Sequence, residues 1–402
     1  MELLQSLQAT PEHTQQELAL QLALAPPLRM IKGHATPEME GVYTQAYELA
    51  QQLGDHQQKF LALMGLERFY INGSRLQKAH ELSEQCLTLA QGIQEIELLQ
   101  EAYQMLGSTS FWQGELVTAR RYLEQGIALC DAQQGYSRTF SSGIDPGVVC
   151  LTVMASTLWL LGYPDRAMIR IREALALAQE LWHAYSLAFA LNYATTLRIW
   201  RQEVQLAKER AEAVMTLANE HGFIHALSVG MITRGWAVAK QGMVAEGIRQ
   251  LHEGLAAERD TGTELAMSHY LSLLAEAYRL EGQVDAGLHT VAEALVHMDN
   301  TNERRLEAEL HRLKGECLLA QTGKWCKARE AEKCFRQALD VARRQEAKSL
   351  ELRAAMSLAC LWQQQSKRAE AHELLAPVYG WFTEGFDTAD LQEAKALLEE
   401  LA

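Results

Sequence analysis

From about residue 55 onward, apolar side chains recur along the chain at helical intervals of three and four, in helix-length segments separated by short polar turns. A turn residue returns at Gly73, Gly114, Gly162, Gln202, Gly242, Gly282, Gly323 and Ser366, in steps of 41, 48, 40, 40, 40, 41 and 43 residues. The step of 48 contains the one long polar stretch, Asp131 to Gly147, which reads as an inserted loop. Its last residues, Asp145 and Pro146, suit the N-cap and first turn of the following helix. Each turn glycine suits the left-handed backbone that ends one helix and admits the next.

Small residues keep the same register. Each first helix carries one seven residues before its turn, as at Gly107, Ala155, Gly235, Ala275 and Ala359. The second helices carry pairs seven apart: Ala119 with Gly126, Ala167 with Ala174, Gly247 with Gly254, Gly287 with Ala294. Small side chains at these places let two antiparallel helices approach closely. The pattern is that of tetratricopeptide (TPR) repeats, whose strict unit is about 34 residues, so these units have longer helices or connections. The expected fold is all-α, a right-handed α-solenoid of TPR-like antiparallel helix pairs with about eight units and capping helices at its ends. Residues 55–377 hold the repeats, with the insertion at 131–147, in one continuous solenoid whose units bury their apolar faces against one another. Residues 1–54 are expected to form a divergent N-terminal cap, with helices near Glu12 to Ala25 and Pro37 to Leu53. Residues 378–402 are expected to close the other end with a helix from Thr388.

Composition narrows the function. With 51 acidic and 37 basic residues the formal charge is −14, and no block of Lys or Arg could neutralise a run of phosphates, which argues against nucleic acid as a partner. The longest apolar stretch, Val148 to Leu161, is shorter than the roughly 20 residues of a membrane span. The N-terminus lacks the basic and then apolar pattern of a secretory signal. A soluble cytoplasmic protein is expected. The seven cysteines are scattered, without a CxxC pair, and are expected to be reduced core residues.

No chemistry-bearing constellation emerges. His221 and His225 have a spacing that could place two imidazoles on one helix face, but Gly222 between them suggests a helix start, and a third ligand is missing. The carboxylate pairs, such as Glu307 with Glu309, read as solvated charge. No catalytic residues, no metal and no cofactor are therefore expected.

By the TPR resemblance, the residues 13, 10, 6, 3 and 2 before each turn face the concave side. In units two to five these include Phe111, Trp112, Thr152, Ser156, Trp159, Asn192, Thr196, Trp200 and Trp236; the sixth unit adds His269, Glu276 and Arg279. Aromatic walls with a few hydrogen-bonding groups suit a peptide or small ligand. Packing of the same tryptophans between helices is the competing reading. The centre of the groove is expected in units two to five.

The segments Asp145 to Ala167, Ser186 to Ala194, Leu306 to Gln321 and, most specifically, Lys348 to Leu401 resemble the C-terminal region of large bacterial proteins. In those a class III nucleotide cyclase or kinase domain precedes a predicted STAND-type ATPase and then a TPR array. The sequence has no GxxxxGK[ST] phosphate loop; its Gly323-Lys324 is followed by Trp325. The resemblance thus implies the sensor or interaction arm of a bacterial signalling system.

Three functions compete. The leading one is a non-enzymatic scaffold that binds a protein or peptide along an open concave face. The second is a small-molecule effector sensor of the helical-repeat regulator type, which calls for a closed pocket of a few hundred cubic ångströms. The third is self-association, through a segment such as Val378 to Phe386. That segment is more readily explained as cover for the last repeat.

Overall fold

The helical pattern is realised in a computed structural model that describes residues 11–32, 37–132, 143–321 and 324–402. Among these residues there are nineteen α-helices and no strand. Residues 133–142 of the inserted loop and the turn residue Gly323 lie outside the described residues. A first pair, α1 (Pro11–Lys32) and α2 (Pro37–Leu53), precedes eight units. The inner helices of those units are α3 (His56–Asn72), α5 (Ile96–Trp112), α7 (Pro146–Leu160), α9 (Ala184–Trp200), α11 (Ile224–Lys240), α13 (Met267–Leu280), α15 (Glu307–Ala320) and α17 (Lys348–Gln364). Their outer partners are α4 (Leu76–Ile93), α6 (Leu116–Ala132), α8 (Pro164–Glu180), α10 (Val204–His221), α12 (Val244–Asp260), α14 (Val284–Thr301), α16 (Lys324–Arg344) and α18 (Arg368–Tyr379). A last helix, α19 (Ala389–Leu401), packs on α17 and α18.

The outer helices show why the chain folds this way locally. In α8, Pro164 occupies the first turn, and Ala167, Ile171, Ala174 and Ala178 form one buried stripe at helical spacing. The inner helices are apolar nearly all round, as α7 illustrates with every residue from Gly147 to Leu160 buried. Such a helix has to be packed on all sides, and here it is. Asp145 caps α7 by accepting the Val148 N–H at 2.8 Å, and its own N–H donates to Ser186 Oγ at 3.1 Å. The core is continuous: a single apolar cluster runs from Ile71 to Leu350.

The turns follow the predicted register with one shift. Gly114, Gly162, Gln202, Gly242, Gly282 and Ser366 have positive φ, but in the first unit it is Ser74, φ 52°, and not Gly73. Close approach within pairs is greatest between α11 and α12. A Cβ on Gly247 would lie 2.6 Å from the Ala239 nitrogen, and one on Gly254 would lie 2.7 Å from Ile232.

The coil also closes on itself. A helix leaves its last carbonyls without intrahelical partners. Here the next turn of the superhelix supplies them. Asn72 O accepts the Glu264 N–H at 2.9 Å, and Trp112 O accepts the Arg304 N–H at 2.8 Å. Trp159 O accepts the Ser349 hydroxyl, 190 residues away, and Trp200 O accepts the Arg353 guanidinium. Thus α3 meets the start of α13, α5 that of α15, and α7 and α9 meet α17. Gly114 and Gly162 stand at this seam: a Cβ would lie 2.5 Å from Gln345 Nε2 and 2.6 Å from Trp381, respectively, whereas Gly242 and Gly282 face open space.

The C-terminal segment completes the closure. Phe382 belongs to the core of the last units, but Trp381 reaches Tyr163 of the third unit, ring centroids 5.5 Å apart. Glu384 accepts the N–H groups of Asp165 and Arg166 at 3.0 Å each, capping the start of α8. The segment therefore covers the last repeat and clamps the third at once. No helix among the described residues is long and apolar enough to cross a membrane.

Candidate functional site

Closure leaves a cavity of about 380 Å³ among the inner helices. One wall is aromatic. Trp159 from α7 and Trp200 from α9 pack with ring centroids 4.9 Å apart, and the Arg353 guanidinium lies 5.0 Å from the Trp159 ring. His269 meets Trp200 edge-on at 6.0 Å. The rest is a lattice of charges on α11, α13, α15, α17 and α19, with the exposed Cys360 and Glu393 at its rim.

Most of these charges are matched. Glu276 accepts from Lys240 Nζ at 2.9 Å and from the Trp236 indole N–H at 2.8 Å. Burial opposes its charge, but these partners overcome it and hold the carboxyl below its ordinary range. Arg312 grips Glu309 with two hydrogen bonds, at 2.7 and 2.9 Å, and again the carboxyl is held low against the cost of burial. Arg353 pairs with Asp390 at 2.8 Å.

Three groups stand apart. His269 is only 3% exposed, and neither ring nitrogen has a hydrogen-bond partner among the described residues. Burial, with Arg305 nearby, pushes it down to about 3, so the imidazole is neutral. Arg279 Nε is also buried without a partner, and Arg279 has no ion pair among the described residues. Asn192 Oδ1, on α9, is the third, buried without a partner but outside the cavity wall. A buried polar atom left without a partner costs about 1–3 kcal/mol, a cost that a bound ligand would offset.

Of the residues expected from the sequence, the structure brings Trp159, Trp200, His269, Glu276 and Arg279 to the cavity wall. The others fall elsewhere. Trp236 is fully buried behind the wall and touches the site through Glu276 and Lys240. Phe111 and Trp112 are covered by Arg305, which lies 3.9 Å from the Trp112 ring and 5.1 Å from that of Phe111. The returning coil fills that part of the groove, so unit two offers no open concave face there. Thr152 and Thr196 are buried or half-buried because each donates to its own helix, to Val149 O at 2.9 Å and to Asn192 O at 3.1 Å. Ser156 is buried with its hydroxyl unpartnered. The centre of the cavity lies in units four to eight, rather than two to five.

The opposite wall comes from Arg312 and Glu316 on α15, from Arg353, Met356 and Cys360 on α17, and from Glu309, which is not the solvated charge expected but a largely buried partner of Arg312. Counting back 13, 10 and 6 residues from Ser366 reaches Arg353, Met356 and Cys360. For α15 the count from Gly323 fails by one. The helix ends at Ala320, and in the other units the turn residue lies two beyond the helix, so the reference is position 322; from there the count reaches Glu309, Arg312 and Glu316.

The two histidines weighed as ligands sit on different helices. His221 ends α10, Gly222 is its left-handed cap at φ 71° rather than a helix start, and His225 lies in α11 with Nδ1 on Glu258. Cys86, Cys150 and Cys317 are buried, Cys130 and Cys334 are intermediate, and Cys360 is exposed, contrary to the core position expected of it. The side chain of Cys326 lies outside the described residues.

No protein-family model and no curated protein matches the sequence. Solved structures match over almost its whole length. A Rap protein complexed with competence and sporulation factor is 13% identical at a TM-score of 0.59, with 96% of this chain and 99% of that one covered. The Rap conjugation gene regulator of plasmid pLS20, in complex with the Phr* peptide, is 10% identical at 0.55, with 91% and 98% covered. The apo quorum sensor NprR from B. thuringiensis is 12% identical at 0.52, with the same coverage. At such identities the likeness shows the fold: a TPR-like helical-repeat solenoid.

Proposed function

We propose that this chain is a non-enzymatic TPR-type regulator that binds a peptide in the cavity at the centre of its coil. The observation that carries the reading is the wall itself: the Trp159–Trp200 pair beside a buried, neutral and unpartnered His269. An apolar surface with a few unspent hydrogen-bonding groups is what a binding site offers, whereas nothing here pairs a nucleophile with a base and a reacting position. One of the similar structures is a regulator in complex with a peptide, and another a complex with competence and sporulation factor, by their own description, which supports the reading by analogy of fold. The same reading makes the chain a cytoplasmic bacterial signalling arm, the sensor or interaction part that the sequence resemblance implies.

Affinity capture from a synthetic peptide library tests it. Peptides retained by the wild-type chain and lost from Trp200→Ala support the site; equal retention by both moves the partner to another surface. A second reading, a small-molecule effector sensor, is favoured by one observation: the cavity measures only about 380 Å³. Thermal stabilisation by small metabolites, with no peptide retained, would select it.

A further inference from the structure

Among the described residues one cation of the cavity wall, Arg279, makes no ion pair, although five carboxylates line the cavity beside its four cations. Lys240, Arg312 and Arg353 are each engaged, at 2.9, 2.7 and 2.8 Å, by Glu276, Glu309 and Asp390. Arg279 lines the same cavity with a buried, unpartnered Nε and no ion pair among the described residues. A guanidinium offers five donors in a planar fork that matches a carboxylate with two parallel hydrogen bonds.

His269 marks the other end. It lies ten residues earlier on α13, about 15 Å along the helix axis at the usual rise. A neutral imidazole has one donor and one acceptor, the complement of a peptide group. Beside it stand Trp159 and Trp200, an apolar seat for a side chain.

From this spacing we infer that the cavity binds a peptide by its free C-terminal carboxylate, held on Arg279, with the chain running along α13 to His269 and the tryptophan pair. An extended peptide covers about 3.3 Å per residue, so roughly five residues bridge the two positions. A small organic acid reaches only one of them. The inference rests on the peptide reading above and adds the chemistry and direction of the peptide.

The test uses the full chain and two random hexapeptide pools, one with free C-terminal carboxyl groups and one amidated, with retained peptides identified by mass spectrometry. The free-acid pool is expected to be retained and the amidated pool lost. Titration of a retained peptide against Arg279→Gln should show binding weakened about tenfold or more, since a charged hydrogen-bond pair is lost. Arg279→Lys should recover part of it. Because Arg279 makes no ion pair among the described residues, both variants should unfold at or above the wild-type temperature, which is measured alongside. Equal retention of both pools, or unchanged binding by Arg279→Gln, overturns the carboxylate assignment and leaves peptide binding standing. If neither pool is retained, both readings fall; a thermal shift with indole-3-acetate in that case assigns the carboxylate site to a small acid.

Discussion

The indole N–H of Trp236 donates to the carboxylate of Glu276 at 2.8 Å, although Trp236 is fully buried and Glu276 faces the cavity. The tryptophan that seemed to belong to a binding surface thus holds that surface from behind. Trp236→Phe keeps most of the packing and removes the donor. It should lower stability by about 1–3 kcal/mol, the cost of an unmade buried hydrogen bond, in equilibrium urea unfolding. It should also weaken peptide binding without touching the peptide. A variant as stable as wild type would show that the bond contributes nothing.

The α11–α12 contact depends on the absence of a side chain at Gly247. Gly247→Ala should destabilise by about 1–3 kcal/mol, because a Cβ 2.6 Å from backbone forces the helices apart and overpacking costs that much. Gly282→Ala is not a suitable control, since its φ of 76° strains any side chain. Gly92→Ala is one, having open space and no left-handed backbone. Thermal unfolding of the pair gives the comparison.

Two histidines should give the pH dependence opposite slopes. His269 is pushed down to about 3 from its ordinary value near 6.5 by burial, so the unfolded chain binds the extra proton first. Stability contributed by its neutral form is lost as pH falls from about 6.5 toward 3. His225 is the reverse. Burial disfavours its charge, but Glu258, at 2.9 Å, overcomes this and raises it above the ordinary value. Its contribution is full below about 6.5 and is lost as pH rises through the raised value. Denaturant midpoints across this range should show His269→Gln flattening the acid limb, and His225→Gln losing stability at pH 5 but little at pH 9.

Glu384 caps a helix through the N–H of Asp165, 219 residues earlier in the chain. Glu384→Ala should speed amide hydrogen exchange at Asp165 and Arg166 and lower stability by about 0.5–2 kcal/mol, the range for a lost N-cap. Slow exchange retained at both amides in the variant would place the protection elsewhere.

The unit register was legible because the chain has to reverse at each turn, and left-handed backbone leaves a mark in composition at Gly114, Gly162, Gly242 and Gly282. The mark is weaker where a side chain tolerates that conformation, as at Ser74, and the seventh reference slipped by one because α15 ends earlier than Gly323 implied. Half of the site was legible for the same reason: α13 and the tryptophans Trp159 and Trp200 follow from the count. The covering of Trp112 by Arg305 was not. It depends on the rotation accumulated over five helix pairs, a sum of small inter-unit angles to which no local run of residues corresponds. Nor could the count tell a wall residue from a covered one, since Trp112 and Trp200 both stand two before their turn residues and differ only in what packs over them.

Open repeat stacks unravel from their ends, because each unit leans only on its neighbours. The seam described here removes that freedom. With Trp112 bonded to Arg304 and Trp159 to Ser349, unwinding the final helices releases the middle of the chain as well, so the molecule should melt in a single step rather than fray. Its folding also has to wait for partners 190 residues apart to meet, so the units around Ser349 lock in place those synthesised before them.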